Sequence, residues 1–334
     1  MDDIYIEQDK IPKIDTEILK RLSVLKPWRS LLAILMDWII IVVCIAVCEG
    51  ISYWFYPLAF VIAGTRFHGL EAMMHEAAHY RLHPNKKANE LVGELSVWPM
   101  GLSLFLYRKV RHFSHHKNFG TMGDAHMSMD YKKHSTRFDI PTPLPKLLTN
   151  CLLVAVKFPA EVWVGQIYAI SKLLPRLSKN LGRLWVGFQV FTWLSIVAGS
   201  IIFNLKIALI YLLFFVLPLM WIAVFSRYLR LLTEHFGIPV SPKTLIPGSE
   251  TRTVLVAWPM RVLFWPHNIN YHIEHHWYPS VPFYNLPALH KLLQQSRQEN
   301  KKMHVTRGIR NLFHELTSSS STNTIALSDT VKRP

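Results

Sequence analysis

Residues 31–48, LLAILMDWIIIVVCIAVC, form an apolar run that, at roughly 1.5 Å per residue, is about long enough to cross a hydrocarbon core of roughly 30 Å. No other feature limits the chain so strongly, because a backbone placed in lipid must satisfy its own hydrogen bonds and so must coil into helices. Asp37 interrupts the run near its first turns. The stretch EGISYW makes a tight connection, and ISYWFYPLAFVIAGTRF (51–67) is able to return, so 31–67 is expected to be a hairpin. Residues 185–203 and 205–226 form a second apolar hairpin around GSIIFNLK. The expected fold is therefore an all-α integral membrane protein with four transmembrane helices in two hairpins and a cytoplasmic helical cap.

Other apolar stretches fall short of a span. LVGELSVWPMGLSLFLY (91–107) carries Glu94 and Pro99 and reads as a buried or re-entrant helix. Residues 146–174 are broken by Lys157, Pro159 and Glu161, which suits a pair of interfacial helices. VLVAWPMRVLFW (254–265) is short, contains Arg261 and is again expected at the interface. The domain plan is an interfacial N-terminal segment (1–30), a membrane domain (31–316) and a Ser/Thr-rich tail (317–334) expected to be disordered.

Charge orients this plan. Half of the 334 residues are hydrophobic and 18% are charged, with 37 Lys and Arg against 22 Asp and Glu, a net +15. The hairpin turns at 49–50 and 199–206 carry almost none of the positive charge. The lead-in, residues 81–184 and the stretch after Arg227 carry nearly all of it, which places those parts and both termini in the cytoplasm. The basic balance fits an anionic membrane surface, and no nucleic-acid motif accompanies it. The N-terminus, MDDIYIEQDK, is acidic and lacks the apolar core of a cleaved signal peptide. Three cysteines, Cys44, Cys48 and Cys151, lie in apolar surroundings and suggest neither a disulfide framework nor a thiolate metal site.

Three histidine clusters border the apolar runs: HEAAHYRLH (His75, His79, His83), HFSHH (His112, His115, His116) and HIEHH (His272, His275, His276). The last two share the pattern H-x-x-H-H. On a helix, positions i, i+3 and i+4 share a face, so each cluster aims its imidazoles one way. Neutral imidazole suits Fe, Zn, Cu and Ni. Three clusters supply more ligands than one metal needs, which implies two metals. The clusters must lie on one side of the membrane, and two spans between His116 and His272 meet that condition. His235 in LLTEHFG, just after the fourth span, is a further candidate ligand. His83 is another, although Pro84 marks a helix end there. Two other chemistries fit parts of the pattern. HEAAH matches the zinc-protease motif H-E-x-x-H, with Glu76 as general base and Asp124 as an added ligand, but both HxxHH clusters are then unexplained. A histidine-lined metal transporter would more naturally hold its ligands within its spans.

The arrangement resembles the membrane fatty acid desaturase superfamily, which also includes hydroxylases and carotenoid ketolases. The resemblance covers roughly residues 30–295. HEAAH is similar to the first histidine box, RHFSHHKNFGTMGD to the second, and HNINYHIEHHWYPSVPFYNLPALH to the third. His126 after Asp124 is a small departure. The resemblance implies two non-haem irons held by His75, His79, His112, His115, His116, His235, His272, His275 and His276, with His83 possible. It implies O2 as co-substrate and a lipid or acyl substrate. Glu76, Asp124, Glu234, Asn268, Asn270 and Glu274 are candidates to orient those imidazoles through the far ring nitrogen. Trp98, Trp265, Trp277, Tyr278 and Phe283 are candidates to line a lipid channel, or alternatively an aromatic interface belt. Neither an HPGG haem signature nor a GxGxxG before a helix is present, so a separate electron donor, ferredoxin or cytochrome b5, is expected. The leading expectation is an acyl-lipid or acyl-CoA desaturase. A hydroxylase or ketolase of an alkane or carotenoid-like lipid, and more remotely the intramembrane zinc protease, are the alternatives.

Overall fold

The computed structural model describes residues 13–108, 112–118, 140–154, 156, 179–238, 251–295 and 303–318. After a short α1 (Thr16–Leu22), capped by the Asp15 carboxylate on the Glu17 and Ile18 N–H groups, come two long helices. They are α2 (Pro27–Gly50), with proline at its first turn, and α3 (Tyr56–Ala78). Proline there removes an N–H that has no partner in a first turn. The segment expected to be a re-entrant helix is instead broken. Helix α4 (Lys86–Val97) ends where Pro99 and left-handed Gly101 turn the chain, and α5 (Leu104–Tyr107) follows.

Helix α6 (Phe113–Asn118) carries the second histidine cluster, and α7 (Leu144–Val154) covers the described part of the expected interfacial pair. A second long pair follows: α8 (Lys179–Ile202) and α9 (Lys206–His235). The remaining helices are α10 (Trp258–Phe264), α11 (His272–Trp277), α12 (Leu286–Gln295) and α13 (Ile309–Thr317). The last extends to the residue at which the tail was expected to begin; residues 319–334 lie outside the described ones. Of the four long helices, α2 and α9 are each long and apolar enough to cross a membrane. An ion pair between Lys206 and Glu49 joins the turn of the first long pair to that of the second.

The expectation of purely helical structure is corrected by one small parallel sheet. β1 (Thr253–Leu255) pairs with β2 (Val305–Arg307), Thr253 opposite Val305 and Leu255 opposite Arg307. The β-branched run at 251–256 favours a strand, so only the later part of 254–265 is helical. The N-terminal segment packs on the rest of the chain. Ile14, Leu19 and Leu22 pack against the cluster that holds Tyr271, Ile273, Trp277 and Leu289.

Pro218 sits inside α9, where its missing N–H breaks the regular ladder. The helix continues through wide π turns at Leu212–Val216 and Leu219–Ala223. Gly64 of α3 faces this irregular stretch so closely that a Cβ would lie 2.3 Å from the Ile222 Cβ and 2.8 Å from the Pro218 carbonyl oxygen. The close crossing fixes the axial offset of the two helices that end in His79 and His235. Gly64→Ala is expected to destabilise the protein by about 1–3 kcal/mol through overpacking, seen as a lowered thermal unfolding midpoint in detergent.

Candidate metal centre

Each histidine cluster is placed by a helix end. His75 lies on the last turn of α3 and His79 is its C-cap. The chain leaves that helix through Tyr80 in the left-handed region, φ 59°. The terminal carbonyls, which have no partners within a helix, are taken by side chains from elsewhere. Asn89 Nδ2 donates to the Ala77 oxygen at 2.9 Å, and Arg108 donates to the Ala77 and Ala78 oxygens at 2.8 and 3.0 Å. The Arg108 guanidinium also lies 4.3 Å over the Tyr80 ring. A cation at a helix C-terminus is favourable, and this one precedes His112 by four residues, so the end of the first cluster is tied to the start of the second. Arg81 ties it to the third, donating to the His79 oxygen at 2.9 Å and the Ser280 oxygen at 3.0 Å.

His112, His115 and His116 enter from α6 and the residue before it, and His235 is the last residue of α9. His272, His275 and His276 lie on α11, a helix as their spacing predicts. Together they form two sets. His75, His79, His116 and His275 have ring nitrogens all within 4.8 Å of one another, and so do His115, His235, His272 and His276. The neighbours His115 and His116 serve different sets, as do His275 and His276. The His116 and His276 rings stack at 4.5 Å across the boundary. His112 adjoins the first set, its Nε2 2.7 Å from the His79 Nε2.

Ring nitrogens converge at distances that suit a shared cation. His272 Nε2 lies 2.9 Å from His235 Nε2 and 3.1 Å from His276 Nε2. Two further buried nitrogens, His116 Nε2 and His275 Nε2, have no hydrogen-bond partner. Leaving them unpaired is costly. Burial, and then the neighbouring imidazoles, hold the pKa values of His112, His116, His272 and His276 well below the usual 6.5; the same two effects lower His275. Burial and the cations Arg81 and Arg108 lower His79 to about 3. Neutral imidazoles with inward lone pairs are what a metal requires, so the residues fit two nitrogen-ligated ions.

Among the outer groups, Glu234 is fully buried. It accepts the Arg230 Nε–H at 2.8 and 3.0 Å and lies 3.5 Å from His272 Nδ1. Glu274 accepts the Thr253 hydroxyl at 2.6 Å and is bonded to His290, so it braces α11 from behind. Asn270 Nδ2 donates to the Val254 oxygen and Asn268 Nδ2 to the Phe283 oxygen. Glu76 accepts the Phe283 N–H at 2.9 Å; it is a structural acceptor, not the base facing a metal-bound water that the zinc-protease reading needs. His83 departs from the expectation. The chain has already turned at Tyr80, and the His83 Nδ1 accepts the Asn85 N–H instead of joining either set. Asp124 lies outside the described residues. Trp265, Trp277, Tyr278 and Phe283 are buried in apolar clusters, so these four do not form an exposed interface belt, while Trp98 is half-buried.

The roles of Arg230 and Arg108 lie outside the histidine patterns. Arg230 had a legible signal, since it stands four residues before Glu234 on one helix. Arg108 acts across about thirty residues and left none. His290 closes the stretch that is similar to the third box, but nothing local pairs it with Glu274.

Two outcomes are expected. His275→Ala loses bound metal, measured by elemental analysis of purified protein, whereas His83→Ala retains it. Second, these imidazoles have folded pKa values below 6.5, so the unfolded chain takes up protons first as pH falls. The stability of metal-free protein is therefore full above pH 6.5 and falls progressively toward pH 3, measured as the unfolding midpoint against pH.

A family model described as fatty acid desaturase matches residues 51–307, more than half of the chain. The dihydrorhizobitoxine desaturase of Bradyrhizobium elkanii is 27% identical over 298 residues, 84% of this chain and 80% of that protein. The chloroplastic omega-6 fatty acid desaturase of Brassica napus is 24% identical over 86% of this chain and 63% of its own length. The chloroplastic sn-2 acyl-lipid omega-3 desaturase (ferredoxin) of Helianthus annuus is 22% identical over 83% of this chain and 64% of its own. The chain thus spans less than two thirds of these two plant enzymes. With the histidine sets in place and the match running through all three clusters, the chain belongs to the fatty acid desaturase family and is an oxidoreductase.

Proposed function

We propose that this protein is an O2-dependent membrane desaturase that introduces a C=C bond into an acyl chain, with two irons held by the two histidine sets. The observation that carries the reading is the gathering of eight imidazoles from residues 75–276 into two four-nitrogen groups. A pair of irons bound there supplies the oxidising power, drawn from O2, that an unactivated C–H bond demands. The overall reaction balances as R–CH2–CH2–R′ + O2 + 2 e⁻ + 2 H⁺ giving R–CH=CH–R′ + 2 H2O.

The chain's own residues do the rest. His75, His79, His116 and His275 form one cradle, with His112 beside it. His115, His235, His272 and His276 form the other. Arg230 holds the Glu234 carboxylate 3.5 Å from the far nitrogen of His272, where its charge favours an N–H on that side of the ring. Trp277 at the end of α11, and Tyr278 and Phe283 after it, are buried and anchor that helix in the apolar clusters on its flanks. The substrate chain is fixed against the cradles by proximity, and the carbons that face them are the ones that react.

In this reading α2, α3, α8 and α9 cross the membrane as two hairpins, with the metal centre and both termini on the cytoplasmic side. The lipid-facing character of α2 (Leu31, Leu35, Ile39 and Val42 exposed) and of α8 (Val190, Leu194, Val197 and Ile201 exposed) supports it, as does the Lys206–Glu49 pair between the two turns. The electrons come from a separate protein, for which the ferredoxin in the name of the Helianthus annuus relative is the guide.

Co-expression with a ferredoxin and its reductase, followed by analysis of total fatty acids, is expected to reveal a new double bond, and purified protein is expected to contain about two irons per chain. Unchanged unsaturation across a broad range of acyl substrates overturns the reading. Oxygen retained in the product replaces desaturation with hydroxylation at the same centre.

A further inference from the structure

Asp37 stands in the most apolar segment of the chain, yet its side chain is almost fully buried and has two partners. Oδ1 accepts Arg66 Nη1 at 3.1 Å, and Oδ2 lies 2.7 Å from His267 Nε2. Gly69, one turn from Arg66 on the same face of α3, makes room for the carboxylate; a Cβ there would lie 2.6 Å from Oδ2. Arg66 also donates to the Val262 carbonyl. An ionisable group this deep in an apolar helix marks a function by default, and the metal centre uses none of these three residues directly.

The far end of the contact is strained. His267 and Asn268 both have left-handed backbones, φ 54° and 58°. That region disfavours side chains beyond glycine, and such strain persists only where surrounding contacts enforce it. The strained pair lies between α10 and α11, five residues before His272. On the other flank of α11, Phe283 donates its N–H to Glu76, next to His75, and its ring centroid is 5.6 Å from that of His267. Helix α3 therefore grips the segment carrying the third histidine cluster at both ends. Arg66, through Asp37 and Val262, holds it before the cluster, and Glu76 holds it after.

We propose that the Asp37–His267 contact is a latch that sets the position of α11 against α3, making Asp37 and His267 positioning residues for the metal centre; this rests on the metal-centre reading above. Of the latch residues, Asp37 alone lies outside the stretch that the family model matches, residues 51–307. Without the latch, the 265–271 turn is free to take an unstrained path. His272, His275 and His276 then meet His75 and His235 at altered distances.

The test is Co2+ titration of metal-free, full-length protein in detergent, read by the visible absorption of nitrogen-ligated Co2+, with an unfolding midpoint for every variant. Wild type is expected to bind two Co2+. His267→Gly suits the left-handed backbone, so it is expected to keep or raise the unfolding midpoint while weakening Co2+ binding about 10-fold, the scale of lost orienting contacts. Asp37→Asn is expected to weaken it similarly, and the double variant no further than the worse single one, as a shared contact requires. If Asp37→Asn does not fold, Gly69→Ala, which displaces the carboxylate, takes its place. Wild-type Co2+ affinity and spectrum in His267→Gly, or losses that simply add in the double variant, would overturn the latch. Folded wild-type protein that binds no Co2+ would instead overturn the metal-centre reading, and the latch with it.

Discussion

The structure depends on one constraint: a buried pocket filled with imidazoles whose ring nitrogens converge on one another. Such a pocket is unfavourable by itself, because nitrogens such as His116 Nε2 and His275 Nε2 have given up water without gaining a hydrogen-bond partner. It is tolerable when cations occupy the gaps, and the remaining architecture can be understood as what holds the rings until then. The helix ends, the capping arginines and the brace behind α11 all act at the rims of the clusters. Each converts a backbone carbonyl or carboxylate that would otherwise stay unpaired into a fixed point for a ring.

Adjacent histidines divide between the two sets. His115 and His116 are neighbours on one helix and so point about 100° apart, as do His275 and His276. Each helix therefore lies between the two sets and reaches into both. The division makes the centre asymmetric. Among the described residues, the Glu234 carboxylate stands 3.5 Å from the far nitrogen of a ring of the second set, and His112 adjoins His79 of the first.

Much of this was legible in the sequence, for physical reasons. The four long helices each hold most of an apolar run, because lipid-length hydrophobicity is a local property, while α3 and α9 continue beyond theirs to reach the histidines. The i, i+3, i+4 spacing of HIEHH placed three rings on one face, because helical geometry is also local. What escaped was nonlocal or conformational. His83 keeps the spacing of a ligand, but Tyr80 turns the backbone before it, and a left-handed tyrosine leaves no signature in a residue pattern. The β1–β2 pair joins segments about fifty residues apart, and only the β-branched run at one end hinted at it. Asp37 looked like a flaw in a span because its partners, Arg66 and His267, are far away along the chain.

The packing of the N-terminal segment on the third cluster has a consequence for how the protein is made. Ile14, Leu19 and Leu22 leave the ribosome about 250 residues before the surface they cover, from Tyr271 to Met303. Neither that packing nor the centre beneath it can close until the third cluster has followed. During that interval His75 and His79 lack the partners that α11 brings. A nascent chain of this design carries an unfinished cation site until α11 is made, which favours loading the ions late and makes a product cut short before α11 an incomplete chelator.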